Sequence, residues 1–267
     1  MRKYRDKEGL FIAEGQRCVM QLLERMKAGH EGLVEAVLIR DGSEGLANII
    51  QPVPKETDPR QTTEAGVPVY QLSGHDFDNL SDTESNQGIL AICRQSGETS
   101  ADDLILAKSP ILALDSIQDP GNAGTIYRSA SWFSVGGLLI GQGTVDIWHP
   151  KVVRSTAGAT GSIPFCRGNL DELVIKFEAN GWDVWLLDSK PGSAPIQTLP
   201  VPQKCLIVAG NEGSGLSSAL FTPGRQVVRI DGDAARVESL NVASAVTIAL
   251  YAATAGGRKE SGRGEQP

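Results

Sequence analysis

Apolar residues recur with two different periods along the chain. Phe11, Val19, Leu22, Leu23 and Met26 fall at helical spacing and predict a helix over 15–28. LVEAVLIR (33–40), PVYQL (68–72) and GILAICR (88–94) are short apolar runs bounded by turn residues, and they predict strands. The segment QPVPKETDPRQTTEAG between the first two is rich in proline and polar residues and reads as a loop. QSGETSADD (95–103) is polar without an apolar period and reads as a linker.

Beyond it the pattern changes to buried strands alternating with helices. PILALDSI (110–117), GGLLIG (136–141), WDVWLLD (182–188), KCLIVAG (204–210) and QVVRID (226–231) predict strands. Helices are predicted from near Thr125, over 171–181, and over 241–254. This alternation predicts an α/β fold, with a parallel sheet in the C-terminal part behind a small N-terminal α/β domain. The expected division is 1–96, a linker at 97–104, a main domain at 105–255 and a disordered tail at 256–267. A chain beginning near Asp102 is accordingly expected to fold alone.

In an open parallel sheet, ligands bind beyond the carboxyl ends of the strands. Three loops leave such ends: DSIQDPGNAGTIYR (115–128), GNEGSGLSS (210–218) and DGDAARVESLNV (231–242). Taken singly, each has a plain structural reading. DPGNAG makes a strand-to-helix turn with Asn122 or Thr125 as cap, Ser239 or Asn241 caps the last helix, and Glu212 and Arg128 are surface charges. Their convergence on one sheet edge favours a site. The first loop is not G-x-G-x-x-G, and no Gly-Lys-Ser/Thr follows the second, so a dinucleotide or triphosphate is disfavoured. Glu212 also opposes a phosphate: like charges about 4 Å apart repel by about 4 kcal/mol at an effective dielectric of 20. A nucleoside bearing a net positive group, such as S-adenosylmethionine, suits the loop better.

Composition narrows the classes further. The 267 residues carry 25 Lys and Arg against 32 Asp and Glu, a net charge of −7, which argues against a general nucleic-acid coat protein. Charge is uneven, however: Arg2, Lys3, Arg5 and Lys7 cluster at the start against Asp6. No apolar run approaches the roughly 18–20 residues of a membrane span. The start lacks the apolar stretch of a signal peptide. Cys18, Cys93, Cys166 and Cys205 are far apart, which fits reduced thiols in a cytoplasmic protein and indicates no metal site.

LDSIQDPGNAGTIYRSA, LIVAGNEGSGLS and VESLNVASAVTIALY resemble, in order and spacing, the three motifs of the SpoU (TrmH-like) RNA 2'-O-ribose methyltransferases. HPKVVRSTAGAT (149–160) is similar to the family segment between motifs one and two. KYRDKEGLFIAEG and LSDTESNQGILAIC resemble the ribosomal-protein-like RNA-binding domain that many members carry. The resemblance implies a trefoil knot in the C-terminal domain, S-adenosylmethionine as cofactor, RNA as partner (rRNA favoured over tRNA) and a homodimer. It places Arg128, Asn122, Glu212 and Asn241 in catalysis. Gly210, Asn211, Gly213, Ile230, Ser239 and Leu240 are placed at the cofactor, and Arg2, Lys3, Arg5 and Arg154 at RNA. RIDGDAARVESLN lacks the proline and methionine that the family has before motif three, so a different backbone around the cofactor is expected there. An RNA-binding module of the same fold without transfer activity is the alternative.

Overall fold

A computed structural model describes residues 2–30, 32–43, 45–46, 53–55, 58–233 and 235–255. The tail expected at 256–267 lies outside the described residues, as do the side chains of Arg2 and Lys3. The chain divides into two compact units, 1–96 with 146–161, and 97–145 with 162–267.

In the first unit, α1 (Arg2–Glu8) leads into β1 (Leu10–Glu14), then α2 (Gln16–Lys27), β2 (Val34–Arg40), β3 (Val53–Lys55), β4 (Asp58–Thr62), β5 (Val69–Leu72), α3 (Gly74–Leu80) and β6 (Ile89–Arg94). Four strands form a mixed sheet in the order β1-β6-β2-β5. Only β2 and β5 pair in parallel; β6 runs antiparallel to both of its neighbours. Phe11, Leu22, Val37, Phe77 and Leu90 are fully buried in this unit. Strand β1 was not expected, because Phe11 falls in with the helical spacing of Val19, Leu22, Leu23 and Met26. Gly15, at φ 95°, turns the chain from β1 straight into α2, a backbone angle that glycine adopts without strain. The proline-rich stretch expected as a loop instead forms the antiparallel ribbon β3–β4, with Val53 opposite Thr62. Proline is tolerated there because a two-stranded ribbon consists of edges.

The second unit contains α4 (Ala101–Ile105), β7 (Ile111–Leu114), α5 (Pro120–Trp132) and β8 (Gly137–Gly141). The linker expected at 95–103 thus holds the start of a helix, whose cap is the Ser100 hydroxyl accepting from the Asp103 amide. Helix α5 begins five residues earlier than expected: the Asp119 carboxylate caps it and Pro120 occupies its first turn. The connection onward from β8 carries α6 (Pro150–Ser155), a helix packed on β1 of the first unit. The chain continues through β9 (Phe165–Gly168), α7 (Leu170–Glu178), β10 (Asp183–Leu187), β11 (Ala194–Pro195), β12 (Cys205–Ala209), β13 (Gln226–Arg229) and α8 (Val242–Ala255).

Seven strands make one sheet, ordered β11-β13-β10-β12-β7-β8-β9. Every pairing in it is parallel. Strands β7, β8 and β12 are buried along their whole lengths, which is why they read as unbroken apolar runs. One face packs against Leu170, Val174 and Phe177 of α7 together with Trp182, whose indole N–H donates to the Ile105 carbonyl at 3.3 Å. Strand order reverses at β7, which has β8 on one side and β12 on the other. The expected α/β class and parallel C-terminal sheet are both present.

Candidate active site

The loops after β7 and β12 leave neighbouring strands, since Leu114 is paired with Ala209. That is the crevice where a doubly wound sheet offers a ligand site. Two side chains fasten the loops together. Asp115, 8% exposed, accepts the Ser217 amide at 2.7 Å. Asn211 donates to the Ser116 carbonyl at 2.9 Å. Ser116 has a left-handed φ of 57°, and its hydroxyl donates to the Gln142 carbonyl at 3.1 Å. Such a backbone conformation persists only where surrounding bonds fix it.

The second loop closes on itself. The Asn211 amide donates to the Gly215 carbonyl, and the Gly215 amide donates back to that of Asn211. The Asn211 side-chain oxygen accepts from the Gly213 and Ser214 amides at 2.9 and 3.0 Å. Its side chain, expected at the cofactor, therefore also shapes the loop. Gly210 is required by close approach: a Cβ there would lie 2.5 Å from the Gly215 carbonyl carbon. With Asn211 turned inward, Glu212 stands exposed at the loop tip.

Glu212 is not a free surface charge. Its carboxylate accepts from the Asn122 amide at 2.6 Å. The Asn122 oxygen accepts from Asn241 at 2.9 Å, and the Asn241 oxygen accepts from the Ala243 amide at 2.8 Å. Asn241 thus caps α8 and joins the site at the same time. One polarised chain of hydrogen bonds ties all three motif loops, with a carboxylate at one end and a helix N-terminus at the other. Since the carboxylate can only accept, it fixes the orientation of both amides. The Asn122 backbone N–H in turn donates to Asp119, the cap of α5, at 2.7 Å.

Arg128 lies outside this chain. It is exposed on α5 and has no hydrogen-bond or ion-pair partner among the described residues. Six residues of helix place it roughly 120° around the axis from Asn122, so the two side chains address different directions. It shares a face with Trp132, four residues on and 77% exposed. On α8, which packs against α5 through the Ser129–Thr247 hydroxyl pair, Ile248 and Tyr251 are also exposed, the latter at 63%.

Ile230 is half-buried at the end of β13, while Ser239 and Leu240 are exposed in the loop before α8. Asp231 lies just past β13. Its carboxylate accepts from Gln197 at 2.6 Å and from Arg229 at 2.8 Å, and these bonds, the Gln197 amide first, hold it below the ordinary carboxylate range. The Asp231–Gln197 link and the Asp115 latch were missed in the sequence. Asp115 left one signal, a carboxylate directly following a four-residue buried strand.

In the first unit, Arg5 and Arg154, expected at RNA, are ion-paired. Arg5 bonds Asp146, and Arg154 bonds Glu14 and Asp82 at 3.3 and 3.1 Å. Glu14 is 7% exposed and also accepts from the Ser81 hydroxyl and the Asp82 amide. Among the described residues no group of His, Cys, Asp and Glu is arranged to hold a metal, and no helix is long and apolar enough to cross a membrane.

Residues 109–251 match the model of the SpoU rRNA Methylase family, and residues 1–91 match the MRM3-like substrate binding domain. The chain belongs to the SpoU rRNA methylase family. Members of this family are RNA methyltransferases, and the resemblance read from the three motifs holds. A SpoU relative, the 23S rRNA (guanosine(2553)-2'-O)-methyltransferase RlmP of Bacillus subtilis, is 32% identical over 94% of this chain and 90% of its own length. A putative RNA methyltransferase of the TrmH family from Porphyromonas gingivalis superposes with a TM-score of 0.74 at 26% identity, covering 96% of this chain and 94% of its own. The AdoMet-bound rRNA methyltransferase from Sinorhizobium meliloti shares the fold at the same TM-score and 24% identity, covering 96% and 91%.

Proposed function

We propose that this SpoU protein transfers a methyl group to a ribose 2'-hydroxyl of 23S rRNA, using S-adenosylmethionine and acting as a homodimer in the cytoplasm. The observation carrying this reading is the Glu212–Asn122–Asn241 chain, which binds the three motif loops into one site at the sheet's switch point. The full-length similarity to RlmP supports 23S rRNA over tRNA. The four unpaired cysteines fit a reducing compartment.

The motif-two loop suits the donor. Its segment 210–218 carries no cation for a phosphate, its one ionised group is the Glu212 carboxylate, and Gly210 brings backbone close to backbone. Gly210, Gly213, Ile230, Ser239 and Leu240 would hold the adenosyl group, with Asn211 and Asp115 keeping the loop in shape. When bound, the donor supplies an electrophilic methyl carbon on a sulfonium. The chain must make the ribose hydroxyl a better nucleophile and place it in line. Arg128 is a poor base, because a guanidinium stays protonated. It orients the neighbouring RNA phosphate, which takes up the hydroxyl proton, and stabilises the alkoxide as charge develops. Asn122, Glu212 and Asn241 hold the three loops at the distance the transfer needs. Residues 1–96 serve as the substrate-binding part and 105–255 as the catalytic part. The exposed Trp132, Ile248 and Tyr251 support dimerisation through the α5–α8 face, with Arg128 on that same side.

The test is transfer from tritiated S-adenosylmethionine to 23S rRNA by the unaltered chain and by Arg128→Ala, alongside calorimetry with S-adenosylhomocysteine. Arg128→Ala should lose transfer by orders of magnitude while keeping product affinity. Binding of S-adenosylhomocysteine without transfer by the unaltered chain would make it an RNA-binding module. Tight NAD binding without response to S-adenosylhomocysteine would remove the cofactor assignment.

A further inference from the structure

A cation that is to meet an RNA phosphate must not already be neutralised within the fold. In this acidic protein most described cations are: Lys27 pairs with Glu24 and Glu64, Arg40 with Asp78, and Arg94 with Glu35. Arg25 donates to the Gly158 and Thr160 carbonyls. Among the described residues just Arg17, Lys108, Arg128 and Lys151 have neither ion pair nor side-chain hydrogen bond, and all are exposed. Arg128, the cation that the proposed reaction needs, is one of these four. Lys108 precedes β7 and so lies at the sheet edge opposite the motif loops.

Arg17 and Lys151 both belong to the first unit, on α2 and α6. These helices are packed together: the Cys18 thiol donates to the Val153 carbonyl at 3.9 Å, and Arg154 pairs with Glu14, one residue before the Gly15 turn into α2. Arg17 stands in the first turn of α2, which has no acidic residue. A positive charge there opposes the helix dipole, so it does not serve the stability of the helix. We propose that Arg17 and Lys151 are the phosphate-contacting pair of the substrate-binding unit, in place of Arg5 and Arg154, whose charges are spent inside the fold. This assignment rests on RNA being the substrate.

The experiment uses the full chain and a 23S rRNA transcript, with affinity measured over a series of salt concentrations. Each neutralised phosphate contributes about 0.7–0.9 to the slope of log affinity against log salt. Arg17→Ala and Lys151→Ala should each lower the slope by about one such increment, and the double variant by about two. Lys108→Ala should retain the full slope. Melting temperature and S-adenosylhomocysteine affinity should hold in all of them. An unchanged slope in the double variant overturns the assignment. So does an equal loss in Lys108→Ala, or a fall in melting temperature that accounts for the lost binding. Absence of salt-dependent binding by the unaltered chain would instead strike at the RNA-substrate reading, and at this assignment with it.

Discussion

Replacing Asn122 by Asp tests whether the Glu212–Asn122–Asn241 chain holds the motif loops together. The substitution keeps shape and volume but turns the donor that faces Glu212 into a second carboxylate. The bond it removes, 2.6 Å long, has an ionised acceptor; such bonds contribute about 1.5–3 kcal/mol. Two carboxylates about 3 Å apart also repel by about 1.4 kcal/mol in water and about 5.5 at an effective dielectric of 20. Because Glu212 is exposed, the watery end of that range governs. The sum is roughly 3–4.5 kcal/mol against the closed loops, or about 150-fold to 1,500-fold in S-adenosylhomocysteine affinity at neutral pH.

The stringent control is Asn122→Asp combined with Glu212→Gln. The glutamine amide then donates to the new carboxylate, and Asn241 still finds an acceptor, so the chain is rebuilt with its first bond reversed. A double-mutant cycle on product affinity should give a coupling near 2 kcal/mol, well above the few tenths seen between independent sites. If the double variant binds product but does not transfer methyl, the Glu212 carboxylate has a role in the reaction besides holding the loops. Coupling near zero, with Asn122→Asp binding like the unaltered chain, would show that the hydrogen-bond chain does not hold the site.

Other parts of the fold give further expectations. Gly210→Ala sets a Cβ 2.6 Å from the Gly215 oxygen and the Leu216 nitrogen, both backbone atoms; it should cost about 1–3 kcal/mol in chemical denaturation and weaken product binding. Asp231, held below the ordinary carboxylate range, stabilises the fold above that range and stops doing so as pH falls through its lowered value. Asp231→Asn should therefore melt lower than the unaltered chain at pH 7, with the gap closing below about pH 4. Burial pushes the Cys18 thiol up to about 11 and the Cys205 thiol up to about 12, and raises Cys93 further; it raises Cys166 too, but that thiol is only half-buried and open to reagent. Ellman's reagent at pH 8 should find one fast thiol in the native protein, absent in Cys166→Ser.

What the sequence revealed follows the range of the interactions concerned. Strands β7 and β12 were readable because burial on both faces leaves an unbroken apolar run. Asn122, Glu212 and Asn241 could be singled out by motif order, and their meeting on one edge follows from parallel strands. The start of α5 was misplaced because proline at a helix's first turn looks the same in sequence as proline in a loop. The β3–β4 ribbon was missed because Pro54 and Pro59 stand among polar residues there, with no apolar alternation in the sequence to mark a strand. The fate of Arg5 and Arg154 was out of reach: their carboxylate partners lie 141 and 140 residues away, and nothing local distinguishes a paired arginine from a free one.

The same limit bears on the expectation that a chain starting near Asp102 folds alone. Parallel neighbours need a crossover, which usually lies on its own sheet. The crossover from β8 to β9 instead runs through residues 146–161, whose partners are in the first unit. Asp146 is held by Arg5, Arg154 by Glu14 and Asp82, and the Gly158 and Thr160 carbonyls by Arg25. Trp148, 3% exposed, has its ring 5.0 Å from that of Phe11. Removing residues 1–96 strips every one of these and bares Val152 and Val153, both fully buried in the whole chain. Uncovering two valines and a tryptophan forfeits about 4.5–9 kcal/mol at roughly 1.5–3 kcal/mol per buried side chain, comparable to the whole stability of an ordinary domain. A chain starting at Gly97 should therefore aggregate or melt far lower, and protease should cut first within 146–161. If it instead gives a monodisperse protein with the unaltered chain's melting temperature, the crossover does not depend on the N-terminal unit, and that unit serves RNA alone.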